Sequence, residues 1–304
     1  MRAEFANAIS LLGKECHDLL FLTGDLGFMA LEQVRDSLGE RFINCGISEQ
    51  NMVSMAAALA KDGFTPIIYS ITPFITSRPY EQIRNDISLH NMNVKIVGIG
   101  GGYGYGIMGS SHHALEDIAL MRALPNMTIF VPTFSGDVTD CLPSIISLKG
   151  PAYLRLNMAV PKTPGIDRFA EWRQIKRGSK VTLIVSGPVI RGVLELLEQG
   201  TISENDFSIW TLGVLPFSEL PPRLVEDIVG TSKLVVVEEH YRAGGVGEAL
   251  ASRLLELATP IKVFRSLHAK GYPSGLYGSQ RWHQEENVLA GKRLGDTLLT
   301  VLKA

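Results

Sequence analysis

Asn44-Cys45-Gly46-Ile47-Ser48-Glu49-Gln50-Asn51-Met52 joins an apolar run to the start of a helix, with Glu49 at the junction. From Met52 to Ala60 that helix reads Met-Val-Ser-Met-Ala-Ala-Ala-Leu-Ala, apolar or small on most faces and broken only by Ser54. This composition predicts a buried helix. Glu49 then sits on the lip of a core, where a carboxylate is costly unless something uses it. A plainer reading stays open at this point: an exposed first-turn acid held by the helix dipole.

Outward from that stretch, strands alternate with helices. A helix over Phe5 to Cys16 leads into a short buried strand, Leu19 to Thr23, and then into the loop Gly24-Asp25-Leu26-Gly27. Loops at the carboxyl ends of parallel strands are where such sheets bind ligands. Arg41 to Asn44 is the strand that feeds the Glu49 helix, and Gly63 stops that helix. Strands follow at Thr65 to Ser70, Val94 to Gly98, Met127 to Val131 and Ala152 to Leu156. Helices fall at Tyr80 to Leu89, Ala114 to Leu124 and Asp137 to Leu148. This alternation predicts an α/β fold with a doubly wound, mostly parallel sheet.

Met158 to Lys180 carries Pro161, Pro164 and Gly165 among mixed charges and reads as a linker. A second α/β series follows. Its strands are Val181 to Gly187, Phe207 to Leu212, Lys233 to Val237 and Ile261 to Phe264. Its helices lie near Val189 to Glu198, Ser218 to Val229, Gly247 to Leu257 and Glu285 to Leu302. The expected organisation is therefore a first domain over 1–158, a linker over 159–180 and a second doubly wound domain over 181–304. A length of 304 residues with 45% hydrophobic content suffices for two cores.

The formal net charge is -2 and no long basic stripe is present, so neither nucleic acid nor an anionic membrane surface is an expected partner. No run reaches the length of a transmembrane helix, and no signal peptide is visible. Cys16, Cys45 and Cys141 have no metal spacing and an odd count, which reads as buried thiols in a reducing, cytoplasmic setting.

Three further segments can carry chemistry. Gly98-Ile99-Gly100-Gly101-Gly102-Tyr103-Gly104-Tyr105-Gly106-Ile107-Met108-Gly109 is glycine-rich, either for close approach of a ligand or as a mobile loop. It contains no phosphate-loop Gly-Lys-Ser or Gly-Lys-Thr. Ser110-Ser111-His112-His113 starts a helix, with a serine as its cap. Adjacent histidines could bind a metal, but no third ligand lies at a suitable spacing. Arg155 ends the last strand of the first domain. It could make a surface ion pair, or its fork could take a phosphate or carboxylate.

Gly46-Ile47-Ser48-Glu49-Gln50-Asn51-Met52 resembles the glutamate motif of the thiamine diphosphate enzymes of the transketolase type. The likeness runs on through Tyr80-Glu81-Gln82-Ile83-Arg84, Ser111-His112, Arg155 and the segment Val237-Glu238-Glu239-His240 with Arg242-Ala243-Gly244-Gly245-Val246-Gly247. It covers nearly the whole chain. It implies a pyrimidine-binding domain followed by a transketolase C-terminal domain. It also implies that Glu49 holds the cofactor pyrimidine at its ring nitrogen and activates the cofactor. An aromatic residue that stacks on that ring is expected at Ile75 or at its neighbour Phe74, with Phe74 preferred. Asp25 completes the cofactor-binding candidates. His112 is expected to face the reacting carbon as a catalytic and substrate-binding group. Arg78 and Arg155 are the other substrate-binding candidates, Arg155 as a phosphate anchor. His240 reads as structural.

The chain departs from ordinary transketolases at Gly106-Ile107-Met108-Gly109, where they carry Gly-Glu-Asp-Gly, and at Gly100, where they carry a histidine. Two sugar contacts are thereby missing. No Gly-Asp-Gly is present, and the diphosphate needs a metal with oxygen ligands. The resemblance therefore implies the C-terminal subunit of a split transketolase. Its partner would be an N-terminal subunit that holds most of the diphosphate site with Mg2+ or Ca2+, and the assembly a heterotetramer acting on small sugars. The expected reaction moves a two-carbon ketol unit from a ketose or ketose phosphate to an aldehyde. The beta subunit of a 2-oxo acid dehydrogenase, an enzyme like deoxyxylulose phosphate synthase, and a catalytically silent scaffold remain as alternatives.

Overall fold

The computed structural model describes residues 1–27, 30–162, 165–217 and 219–304. Pro164, read as part of the linker, and Ser218, read as a helix start, lie outside the described residues. The strands are β1 (Leu19–Thr23), β2 (Phe42–Asn44), β3 (Thr65–Ile71), β4 (Lys95–Ile99), β5 (Thr128–Phe130), β6 (Ala152–Leu156), β7 (Trp172–Lys176), β8 (Val181–Ser186), β9 (Phe207–Leu212), β10 (Val214–Leu215), β11 (Lys233–Tyr241) and β12 (Val263–Ala269). They form two sheets. The first has the order β10-β5-β6-β4-β3-β1-β2, and the second β12-β11-β8-β9-β7.

All pairings of the first sheet are parallel except β10 on β5. β1, β4 and β6 are buried along their whole length, as near-continuous apolar runs between two helical layers should be. One layer packs Phe5 and Ile9 of the Arg2–Glu15 helix on Phe21 and Tyr69, with Phe5 stacked on Tyr69 at 5.7 Å. The other packs Met52, Val53 and Ala56 of the Glu49–Lys61 helix on Leu22 and Ile68.

That second helix corrects one expectation. Only Glu49, Met52, Val53, Ala56 and Ala57 are buried, while Met55, Leu59 and Ala60 are half-buried and Ala58 is exposed. Small apolar composition does not by itself fix which faces a helix covers. Tyr80 to Leu89, read as one helix, is α-helical over Tyr80–Gln82 and widens to a π-helix over Ile83–Ser88. The helix Glu32–Leu38 was not legible as a separate element, and the C-terminal helix is two, Gln280–Glu286 and Gly291–Lys303.

The stretch read as a linker also contains structure. Within it, β7 pairs antiparallel with β9 as an edge strand of the second sheet. Arg173 of β7 is buried and forked onto Asp137 of the first half at 2.8 and 2.7 Å. The Pro and Gly content of the segment masks a short edge strand that needs a neighbour to form.

Candidate functional site

The carboxyl ends of β1, β2, β3 and β4 gather the predicted residues. β2 ends at Asn44, and Gly46 turns the chain with a φ of 70°. Asn44 Oδ1 accepts the Gly46 N–H at 2.9 Å, and Ser48 Oγ donates to the Cys45 carbonyl at 2.6 Å. This tight turn delivers Glu49 to the first turn of its helix, where it is 3% exposed. The reading of Glu49 as an exposed acid is therefore excluded. Arg78 Nη1 donates to Glu49 Oε2 at 2.7 Å, and no other described residue donates to that carboxylate.

β3 runs into the short helix Thr72–Thr76, which buries Ile75 and leaves Phe74 half-buried. Ile75 is fully buried in the core, so it cannot stack on a ligand. Phe74 is half-buried, its ring 4.4 Å from the Arg78 guanidinium carbon and 5.2 Å from the His112 ring. Of the two neighbours, the structure thus leaves only Phe74 with an available face. His112 lies between Phe74 and Tyr105, the latter at 5.7 Å, and its Nδ1 is 3.0 Å from Ser111 Oγ. Glu49, Arg78, Phe74, His112 and Tyr105 are therefore one contiguous chain of contacts.

Asp25 lies to one side. Its Oδ1 accepts a long hydrogen bond of 3.4 Å from Asn44, at the rim of a cavity of about 600 Å3 lined also by Thr23, Gly27 and Phe42.

Arg155 is a correction. It is buried, and its fork is closed on Asp117 through Nε–Oδ2 at 2.7 Å and Nη2–Oδ1 at 3.1 Å. Nη2 also donates to the carbonyls of Ala114 and Glu239. A guanidinium so occupied cannot take a phosphate. Burial works against the charged form of Asp117, but the Arg155 charge and hydrogen bonds outweigh it and hold the carboxyl below its usual range. Tyr153 adds a 2.7 Å hydrogen bond to the same carboxylate.

The glycine-rich loop is held in place rather than free. Glu239, from β11, accepts the Tyr103 N–H at 2.7 Å and amide hydrogens of Gln280 and Gln284 at 2.9–3.0 Å. Burial raises the Glu239 carboxyl, and these donors oppose that rise. Tyr103 donates to the Gly271 carbonyl at 2.7 Å, and Asn157 to the Gly101 carbonyl at 2.7 Å. His113 Nε2 faces the Gly106 carbonyl at 2.8 Å. A carbonyl only accepts, so Nε2 carries the proton and Nδ1 accepts from the Tyr272 hydroxyl at 2.9 Å. Burial pushes the His113 imidazole down to about 4, so it is neutral near pH 7. His113 is a brace between the loop and the second half of the chain. His240 is likewise buried, accepting the Ala119 N–H.

The departure at Gly100 has a physical reason. Its φ is 80°, and a Cβ there would lie 2.2 Å from the Tyr105 ring. Tyr105 fills the space a side chain at position 100 would need. Met108 and Ile107 stand exposed on the turn beyond it. Tyr105, Asp117 and Glu239 were missed by sequence reasoning. The signal was the run Gly100-Gly101-Gly102, because glycines without side chains mark where other side chains press on the backbone. Among the described residues, no three His, Cys, Asp or Glu side chains cluster as metal ligands, and no helix is long and apolar enough to cross a membrane.

Residues 1–160 match the family described as transketolase, pyrimidine binding domain. The chain is 29% identical over 276 residues to an apulose-4-phosphate transketolase chain of Phocaeicola vulgatus, covering 86% of each. It is 30% identical over 243 residues to the 6-deoxy-6-sulfo-D-fructose transketolase subunit SqwH of Clostridium sp., covering 76% of this chain and 74% of that one. Among solved structures it is similar to a split gene transketolase described as an inactive beta4 tetramer. That match has a TM-score of 0.80 at 29% identity and covers 99% of this chain and 97% of the other.

Proposed function

Because the chain belongs to the transketolase family, we propose that it is the C-terminal subunit of a split, thiamine diphosphate-dependent transketolase. In this reading it transfers a two-carbon ketol unit from a ketose or ketose phosphate to an aldehyde. The observation that carries it is the buried Glu49 carboxylate at the mouth of its helix, paired through one oxygen with Arg78, which in turn lies over the ring of Phe74.

These residues fit the pyrimidine half of the cofactor. Glu49 would share a proton with a ring nitrogen, Phe74 would cover a face of the ring, and Asp25 would line the cofactor side of the cleft. Thiamine diphosphate, when bound, supplies a nucleophilic carbon and an electron sink for the transferred unit. His112, half-buried and oriented by Ser111, donates a hydrogen bond to the substrate oxygen that gains charge and returns protons to it. Phe74 and Tyr105 hold the imidazole from both sides and limit water at the reacting centre.

In this reading the diphosphate and its Mg2+ or Ca2+, which takes oxygen ligands, fall to an N-terminal partner subunit, in keeping with a sequence that carries no Gly-Asp-Gly. Self-association of two such pairs gives a heterotetramer. The half-exposed apolar face of the Glu49–Lys61 helix suits such a contact. The two relatives are named for a sugar phosphate and a sulfo sugar, which supports an anionic sugar as substrate here.

The test is Glu49→Ala in the complex reconstituted with the partner. Ketol transfer should fall by at least about a hundredfold, as expected when a group acting in proton transfer is removed, with the circular dichroism spectrum unchanged. The isolated chain with thiamine diphosphate and magnesium should show no turnover. Near-normal rates in the variant, or robust activity of the chain alone, would overturn this reading.

A further inference from the structure

The turn that carries His112 is gripped by the other half of the chain. Between β12 and the helix Gln280–Glu286, residues 270–279 form a loop tied at both ends. Tyr103 donates its hydroxyl hydrogen to the Gly271 carbonyl at 2.7 Å, and the Gly278 N–H donates to His283 Nε2 at 3.2 Å. Ser279 caps the helix by accepting the Trp282 N–H at 3.1 Å. Two tyrosines of this loop reach the residues on either side of His112. Tyr272 donates to Nδ1 of the buried His113 at 2.9 Å. Tyr277 donates to Ser110 Oγ at 3.1 Å. Its ring also lies against Gly109, which has a φ of 80° and where a Cβ would meet two ring carbons at 3.4 Å. The Gly109 carbonyl in turn accepts the N–H groups of His112 and His113 at 3.0 and 3.2 Å.

The imidazole of His112 is held in another way. Among the described residues its ring bonds only Ser111, a neighbour in the same turn. The rings of Phe74 and Tyr105, at 5.2 and 5.7 Å, limit its swing but do not fix the backbone beneath it. That backbone is fixed at Gly109 and Ser110 by Tyr277. Tyr277 itself is 50% exposed and bonded to an exposed serine, where a hydrogen bond adds little to folding.

We propose that Tyr277 is a positioning residue for His112, so that the second half of the chain sets the geometry of a site built on the first. The proposal rests on the role given to His112 above. Tyr277 acts through Gly109 and Ser110 and not on the substrate. A group that moves protons has to stay within hydrogen-bond reach of its target, and a displacement of about 1 Å can cost about a hundredfold in rate. Without the ring on Gly109 and the bond to Ser110, that end of the turn is free to shift, and the imidazole shifts with it.

The test uses the complex with its partner subunit, with fructose 6-phosphate as donor and glycolaldehyde as acceptor. Tyr277→Ala should lower kcat at least about tenfold and leave the KM of the donor within about twofold. Tyr277→Phe keeps the ring on Gly109 and should recover most of that loss. In a His112→Ala background, Tyr277→Ala should cost nothing further, because the group it positions is gone. An unchanged kcat in Tyr277→Ala overturns the proposal. So does an equal loss with and without His112, which is what a direct substrate contact or general damage would give.

A second readout needs no turnover. In the full chain labelled with 15N-histidine, the His112 imidazole signal is the one missing from His112→Ala. Tyr277→Phe should move that signal and leave the His240 signal in place. A His112 signal that stays where it was in both Tyr277→Phe and Tyr277→Ala overturns the proposal. If His112→Ala retains wild-type turnover, the catalytic role given to His112 has failed, and the labelled spectra still decide whether Tyr277 positions it.

Discussion

Arg155 and Asp117 illustrate how much a single buried pair decides. Removing one partner of such a pair leaves the other charge uncompensated in the interior, at a cost of about 3–5 kcal/mol. Arg155→Leu should therefore lower the unfolding free energy by about that amount in urea titrations, through the uncompensated Asp117 charge. An arginine that only anchored a ligand would leave the unfolding curve where it was. The position of Arg155 at the end of a strand was legible, but its partner was not. Asp117 lies on another element, and nothing in local spacing announces that two side chains meet across a sheet end. Glu49 was more legible because its own neighbours, a glycine turn and an apolar helix, both constrain it.

At the scale of elements, the loop from Gly100 to Gly109 is shaped by what presses on it. A Cβ at Gly102 would lie 2.6 Å from the Glu239 carboxyl carbon, at a φ of 66°. Gly102→Ala should therefore destabilise the protein by about 1–3 kcal/mol, read as a lower urea midpoint, through backbone strain and displacement of Glu239. A mobile loop would absorb the methyl group with no change. The central strands were recovered well: β1, β6 and β9 begin and end where the apolar runs do. Edge and accessory elements were not. β7 has the half-buried pattern of a strand with one covered face, and its sequence, Trp-Arg-Gln-Ile-Lys, alternates too weakly to stand out from a Pro-containing stretch.

Across the whole molecule, the two halves are joined by charged groups whose ionisation burial controls. Glu238 accepts the N–H groups of Val246 and Gly247 at 2.7 and 2.9 Å. Arg122 of the first half donates to the carbonyls of Gly244 and Gly245 beside it. Burial pushes the Glu238 carboxyl from 4.5 up to about 7, against the pull of those donors and of Arg155 and Arg122. Between about pH 4.5 and 7 the folded chain holds a proton that the unfolded chain has released, so stability falls as pH rises through that window. The loss is about 3 kcal/mol, complete above pH 7 and absent below 4.5. Glu238→Gln should flatten that part of the pH dependence when urea midpoints are compared at pH 5 and pH 8. An equal slope in both proteins would contradict the assignment.

β10 follows β9 of the second sheet in sequence, yet it lies antiparallel on β5 at the border of the first sheet. A fragment cut after residue 158 would therefore leave Thr128–Phe130 with an unpaired row of backbone groups, the kind of border on which chains stack into aggregates. The dipeptide Val214–Leu215 is a plug against that outcome, and the two halves are not separable parts. Any truncated version intended to stay soluble has to carry those two residues along.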